Sequence, residues 1–231
     1  MNTYHEQHVK SSDFLTDIVI GMSDGLTVPF ALTAGLTGAI ASTHIITTAG
    51  LAEIVAGSIA MGLGGYLAGK TEIEHYDAEL VREYLEVNNV PDKERQEVAD
   101  VMIEYGVNKD LAANVALAIS QNNDKWVDFM MRFELGLEQP DKKRATKSAL
   151  NIGLSYVVGG LVPLTPYFFS DDVHTGLIYS CILTVIALFF FGYYKNRVIG
   201  NSPIKGALRM TITGVLAASV AYLVAKMITT A

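Results

Sequence analysis

The chain has 231 residues, half of them hydrophobic and only 18% charged, with a net charge of −7. The charged share is well under the roughly 25% of an ordinary soluble domain. A nucleic-acid partner is excluded because the one basic cluster, Lys142, Lys143, Arg144 and Lys147, directly precedes an apolar run and reads as a membrane anchor. The single cysteine, Cys181, excludes an intrachain disulfide and a thiolate metal cluster; in an apolar run it packs as a small hydrophobe.

The opening MNTYHEQHVKSSD is polar and lacks a basic region, a short apolar core and a cleavage site, so no signal peptide is expected. Span one is predicted over about 14–41 (FLTDIVIGMSDGLTVPFALTAGLTGAIA) and span two over about 44–68. Each is long enough to cross a hydrocarbon core of roughly 30 Å. A polar, charged segment follows from Lys70 to Lys147, with 17 Asp or Glu and 11 Lys or Arg. Its pattern predicts helices at about 71–87, 91–105, 109–121 and 123–137, broken at NNVPD and YGVNKD, with Asp92 as a cap for the second. Spans three to five are predicted at about 145–169, 175–194 and 204–228. The fold class is therefore all-α: five transmembrane helices, with a cytoplasmic helical domain inserted between the second and third. The expected divisions are 1–69, 70–144 and 145–231.

Charge sets the expected topology. With the N-terminus inside, the inner segments hold 16 of the 17 Lys and Arg, and only Lys226 falls outside. The N-terminus and the insert are then cytoplasmic and the C-terminus is outside.

Asp17, Asp24 and Glu53 lie within the first two spans. A central acidic residue costs about 2.5 to 3.5 kcal/mol on insertion scales, so such groups line a cavity, pair with a cation or carry a proton. The middles of spans one and two contain no Lys or Arg. Protons, metal ions or water are left as partners, which points to a cation pathway. Asp17 and Asp24 are seven apart and share a helix face. Gly25 and Pro29 after Asp24 allow a bend. Glu53, Gly57 and Met61 form one stripe on span two, and the Met61 thioether favours softer metals than magnesium or calcium. Gly62, Gly64, Gly65, Gly35 and Gly38 permit close helix approach within or between chains.

The insert carries a second constellation. Glu83 and Glu86 form an i, i+3 pair, and Glu94 and Glu97 form another on the next helix. An antiparallel turn at Pro91 would bring the pairs together, and four carboxylates suit divalent cations. Met130 and Glu134 share a face at i, i+4, with Met131 adjacent, which adds soft sulfur. His75 is a weak additional ligand. No HExxH or Walker A loop is present, and His75, the insert's only histidine, allows at most one Glu-x-x-His pair where a ferritin-like ferroxidase uses two, which disfavours that enzyme and an ATP-driven pump. A membrane-anchored di-iron enzyme and a metal-responsive sensor are the competing readings.

SDGLTVPFALTAGL, followed by EIVAGSIAMGLGGYLA, resembles the vacuolar iron transporter family, which includes the yeast calcium-sensitivity-complementing transporter. The likeness runs from about Asp13 to Ala231 and includes the insert, VPLTPYF in span three and KGALRM at the start of span five. It implies a homodimer in the lipid bilayer that is not an enzyme and holds no cofactor. It implies export of Fe²⁺, with Mn²⁺, Co²⁺ or Zn²⁺ as further cargo, in exchange for protons. By position it assigns the membrane site to Asp24, Glu53 and Met61, with Asp17 nearer the cytoplasmic mouth. The soluble metal site falls on Glu83, Glu86, Glu94, Glu97, Met130, Met131 and Glu134. The implied location is the plasma membrane in a bacterium and the vacuolar membrane in a eukaryote.

Overall fold

The computed structural model describes residues 13–39 and 42–230; the N-terminal tail and the last residues of span one, as read above, lie outside them. Eight α-helices and one π-helical turn are found among the described residues, and no strand. They are α1 (Asp13–Ala39), α2 (Thr43–Asn89), α3 (Pro91–Glu104), α4 (Lys109–Ile119), α5 (Asn123–Phe129), the π-turn (Met130–Glu134), α6 (Arg144–Phe168), α7 (Val173–Val198) and α8 (Pro203–Thr230). Helices α1, α2, α6, α7 and α8 are each long and apolar enough to cross a membrane. Large apolar side chains point outward along them, among them Val55, Ile59, Ile182, Phe190, Leu216 and Val220. In water such a surface would be an aggregation liability; in a bilayer it is the face that meets lipid.

The chain divides into two compact units, residues 1–66 with 145–231, and residues 67–144. In the first unit α6 lies against both α1 and α2. Its buried stripe Ser148, Ile152 and Tyr156 meets the α1 stripe Asp17, Gly21 and Gly25 in parallel register. Ser148 bonds Asp17, and a Cβ on Gly21 or Gly25 would press on the carbonyl oxygen of Ile152 or Tyr156. On its other side α6 runs antiparallel to α2: Gly50 faces Leu164, Gly57 faces Tyr156, and Gly62 faces Ala149. Glycine at these positions lets backbones approach where packing and hydrogen bonds must supply the association energy. Ser180 donates to the Pro163 carbonyl at 2.7 Å and ties α7 to α6. Thr37 and the Tyr167 hydroxyl share a buried bond of 2.9 Å between α1 and α6.

Gly64 behaves differently from its neighbours, since a Cβ there meets nothing within 4 Å. The expectation that all three glycines of this run pack holds only for Gly62 and Gly65 within one chain. Gly25→Ala is therefore expected to destabilise the detergent-solubilised chain by about 3 kcal/mol, the upper end for overpacking, because rigid backbone is in the way. Gly64→Ala is expected to be neutral or stabilising by up to about 1 kcal/mol, since alanine is the better helix former. Thermal unfolding of the two variants side by side checks both.

The second unit has its own core. Val87, Val98, Ala112, Ala116, Trp126 and Val127 are buried together with Met130 and Met131. Asn108 caps α4 by accepting from the Leu111 amide, and Asn122 caps α5 by accepting from Lys125. Three expectations change here. Span two and the first insert helix are one element, α2, with no break near residue 70; TEIEHYDAELVREYLE continues the helical pattern, and only its polarity changes. Asp92 does not cap α3, because Val90 stands at the cap position and Pro91 opens the helix, where its missing N–H costs nothing. The final helix is not α-helical to 137: it turns π at Met130 and ends near Gly136, whose φ of 65° suits glycine.

Candidate functional site

The membrane carboxylates occupy three different settings. Asp17 is 1% exposed. Ser148 Oγ donates to its Oδ1 at 2.9 Å and Asn151 Nδ2 to its Oδ2 at 3.2 Å. Its charge is thus spread over donors from α6 rather than left bare between helices. Glu53 is half-buried. The Tyr156 hydroxyl donates to its Oε1, while Oε2 is buried without a hydrogen-bond partner. The ring of Tyr156 fits there because Gly57, one turn beyond Glu53, has no side chain, and the Tyr156 backbone lies against Gly25, next to Asp24. Tyr156 therefore stands between the Asp24 turn of α1 and the Glu53 turn of α2. Asp24, half-buried, lines a cavity of 620 Å³ together with residues of α7 and α8. Met61 lies two turns from Glu53 and is half-buried. Among the described residues Asp17, Asp24 and Glu53 do not converge on one point within the single chain.

Glu83, Glu86 and Glu94 do converge: each offers an oxygen, and these lie within 4.8 Å of one another. The cause is local. α2 ends at Asn89 and α3 begins at Pro91, so a single linking residue folds one helix back beside the other. Glu94 is 0% exposed and neither of its oxygens has a hydrogen-bond partner; Glu83 is 3% exposed with Oε2 unpartnered. Burial raises the Glu83 carboxyl to about 7, helped by the charges of Glu134, Glu86 and Glu97 and opposed by Arg82. Burial likewise raises Glu94 to about 7, with Glu97, Glu83 and Glu86 adding and Lys93 opposing. Arg82 bonds Glu86 at 3.1 Å and Lys93 bonds Glu97 at 2.8 Å, while the Lys93 ammonium is 3.8 Å from Glu94. Buried acceptors left bare are costly. A divalent cation is the group that satisfies several hard oxygens at once.

The other insert residues fall around this cluster. Glu97 sits at the rim, held by Lys93. Glu134 is exposed as a residue, yet partial burial and the charge of Glu97 still raise its carboxyl. Met130 and Met131 are fully buried in the apolar core with Val87 and Val98. His75 is exposed and outside the group. Tyr156, Ser148 and Asn151 escaped the sequence reading. Their signal was the Ser148, Ile152, Tyr156 stripe at i, i+4 and i+8, a polar and aromatic edge on an otherwise apolar span.

Fold and site define a class: a membrane protein with five spanning-length helices, carboxylates seated among them, and a helical unit bearing an acidic cluster. The chain belongs to the VIT family, whose model matches residues 15–226. It is 50% identical over 225 residues to Vacuolar iron transporter 1 of Oryza sativa subsp. japonica, covering 97% of this chain and 89% of that one. It is 46% identical to Vacuolar iron transporter 1 of Arabidopsis thaliana, over 99% of this chain and 91% of the relative. Protein CCC1 of Saccharomyces cerevisiae is 40% identical, over 93% and 69%. The two plant relatives are named as transporters, not as enzymes.

Proposed function

We propose that this protein transports divalent iron across a membrane, out of the cytoplasm, in exchange for protons. The observation that carries the reading is Glu53: one carboxylate oxygen is fixed by Tyr156, and the other is buried and open to a partner. No cationic side chain supplies that partner among the described residues of α1 and of the membrane part of α2. A proton and a divalent ion can each take that open oxygen, but not both at once. Alternation between the two couples the flows. Asp24 and Met61 complete the ligand set together with their counterparts in a second subunit, because two-fold symmetry doubles every ligand. Asp17, held by Ser148 and Asn151, shapes the approach. The insert gathers metal at Glu83, Glu86, Glu94 and Glu97, with Glu134 adding charge and the Met130–Met131 pair adjoining the site; Mn²⁺, Co²⁺ and Zn²⁺ are further cargo.

The names of the relatives support iron as cargo and a vacuolar membrane as the location. The distribution of Lys and Arg supports a cytoplasmic N-terminus and insert. The acidic cluster holds no histidine, which speaks against a di-iron oxidase.

The deciding experiment is reconstitution of the full chain in liposomes, with Fe²⁺ uptake followed with and without a pH gradient. Gradient-dependent uptake supports the reading. Tight binding with no flux in either direction would overturn it in favour of a sensor. Tyr156→Phe keeps the ring and loses only the bond to Glu53. Its initial rate is expected to fall about 10- to 100-fold, as for loss of a partner that orients a metal ligand.

A further inference from the structure

A crevice bounded by α1, α7 and α8 contains two cavities in line. The first, 620 Å³, is lined by Lys195 at the end of α7 and by Lys205 and Arg209 on the first turns of α8, with Ser23, Asp24 and Thr27 of α1 opposite. The second, 460 Å³, is apolar, and Phe30, Ala34, Cys181, Ala218 and Leu223 are among its walls. Both volumes lie in the range of small-molecule sites. The sequence steps directly from one to the other, from Val28 to Phe30 on α1 and from Thr213 to Val215 on α8. Arg209 and Ala218 are nine residues apart on α8, about 14 Å along the axis, close to half the thickness of the hydrocarbon core.

The charge of the wide end is unbalanced. Lys195, Lys205 and Arg209 form no ion pair among the described residues, and Asp24 is the one carboxylate lining the same cavity. Three cations repel a divalent metal ion, so this opening is not where cargo reaches Asp24. They attract an anion, and Asn196, Asn201, Ser202 and Thr213 line the same space with further hydrogen-bonding groups. α7 and α8 are clamped beside it: Asn196 donates to the Gly192 carbonyl at 2.9 Å and covers Gly206, where no side chain would fit.

We propose that this crevice holds one anionic phospholipid, with its phosphate headgroup on Lys195, Lys205 and Arg209 and an acyl chain along the apolar cavity. Basic pockets between spanning helices take phosphate-bearing headgroups in this way, and the apolar continuation distinguishes a lipid from a free anion. The assignment needs only that the helices span a bilayer and is independent of the cargo.

The test is native mass spectrometry of the full chain after exchange into nanodiscs of phosphatidylcholine doped with a phosphoinositide. The wild type is expected to retain one phosphoinositide. Lys205→Gln with Arg209→Gln should lower retention by about fivefold per charge removed. Lys70→Gln with Lys226→Gln, the same charge change elsewhere, should leave it unaltered. Ser219→Phe, which fills the apolar cavity from an exposed position, should also release the lipid with every cation intact. Equal loss in the control pair means unspecific attraction and overturns the proposal. Displacement by millimolar inorganic phosphate with no effect of Ser219→Phe would make this a free-anion site and also overturn it. Retention of no phosphoinositide by the wild type, or a change of oligomeric state in Ser219→Phe showing that a second copy fills the crevice, would do the same. Should the double charge variant fail to fold, Ser219→Phe and the phosphate competition still decide.

Discussion

Replacing Glu53 by glutamine is expected to bring Fe²⁺ flux in liposomes to the level of vesicles without protein. Glutamine keeps the shape, so the Tyr156 hydroxyl still has an oxygen to bond and the helix contacts around Gly57 persist. What disappears is the charge on which, in the proposed mechanism, both metal binding and proton return depend. Loss of a residue that merely orients a ligand costs about 10- to 100-fold, so removing the ligand itself should exceed about 100-fold. Asp24→Asn should do the same. Helicity and chromatographic behaviour should match the wild type in both. Wild-type flux in either variant would refute the proposed path.

The second large effect concerns the acidic cluster and pH. Glu83 and Glu94 titrate near 7 in the folded unit, against about 4.5 for an ordinary glutamate. Between those values the folded unit binds more protons than the unfolded chain. Its metal-free stability therefore falls as pH rises from about 4.5 to 7, and stays low above that. With metal chelated, the full chain should melt higher at pH 5.5 than at pH 8. Added Mn²⁺ should reverse the order, because metal and proton compete for the same oxygens and metal binding strengthens with pH. Glu94→Gln should flatten the pH slope and weaken metal binding on the order of 100-fold, as expected for a direct ligand. An unchanged melting profile between pH 5.5 and 8 would mean that these carboxylates are not the linked groups.

Much of this molecule was legible in its sequence because bilayer constraints are written in composition. Runs of apolar residues of spanning length, with Pro and Gly at their breaks, located α1, α6, α7 and α8 to within a few residues, and the start but not the end of α2. The carboxylates stood out for the same reason, as costly exceptions in apolar runs, and the Pro91 turn made the meeting of Glu83 and Glu86 with Glu94 foreseeable. Features that depend on what a residue touches were not legible. Tyr156 looks like any aromatic residue in a span until Gly57 and Gly25 are found against it. The burial of Met130 and Met131 with Val87 and Val98 was likewise invisible in their spacing. The junction near residue 70 reads as a boundary because polarity changes there, although backbone hydrogen bonding ignores that change and α2 continues.

The π-turn carries a further consequence, for insertions and deletions. Leu135 bonds back to Met130, five residues earlier, so Met130–Glu134 holds one residue more than an α-helix would allow. Such turns recur at functional sites. Removing Arg132, an exposed residue paired only with Asp128 on the surface, would leave every other side chain unchanged. It would let the ring close at four residues and change the height and angle at which Glu134 stands to Glu83. Within MMRFE, spacing is thus as much a part of the site as residue identity, and a one-residue deletion should do more harm than most substitutions.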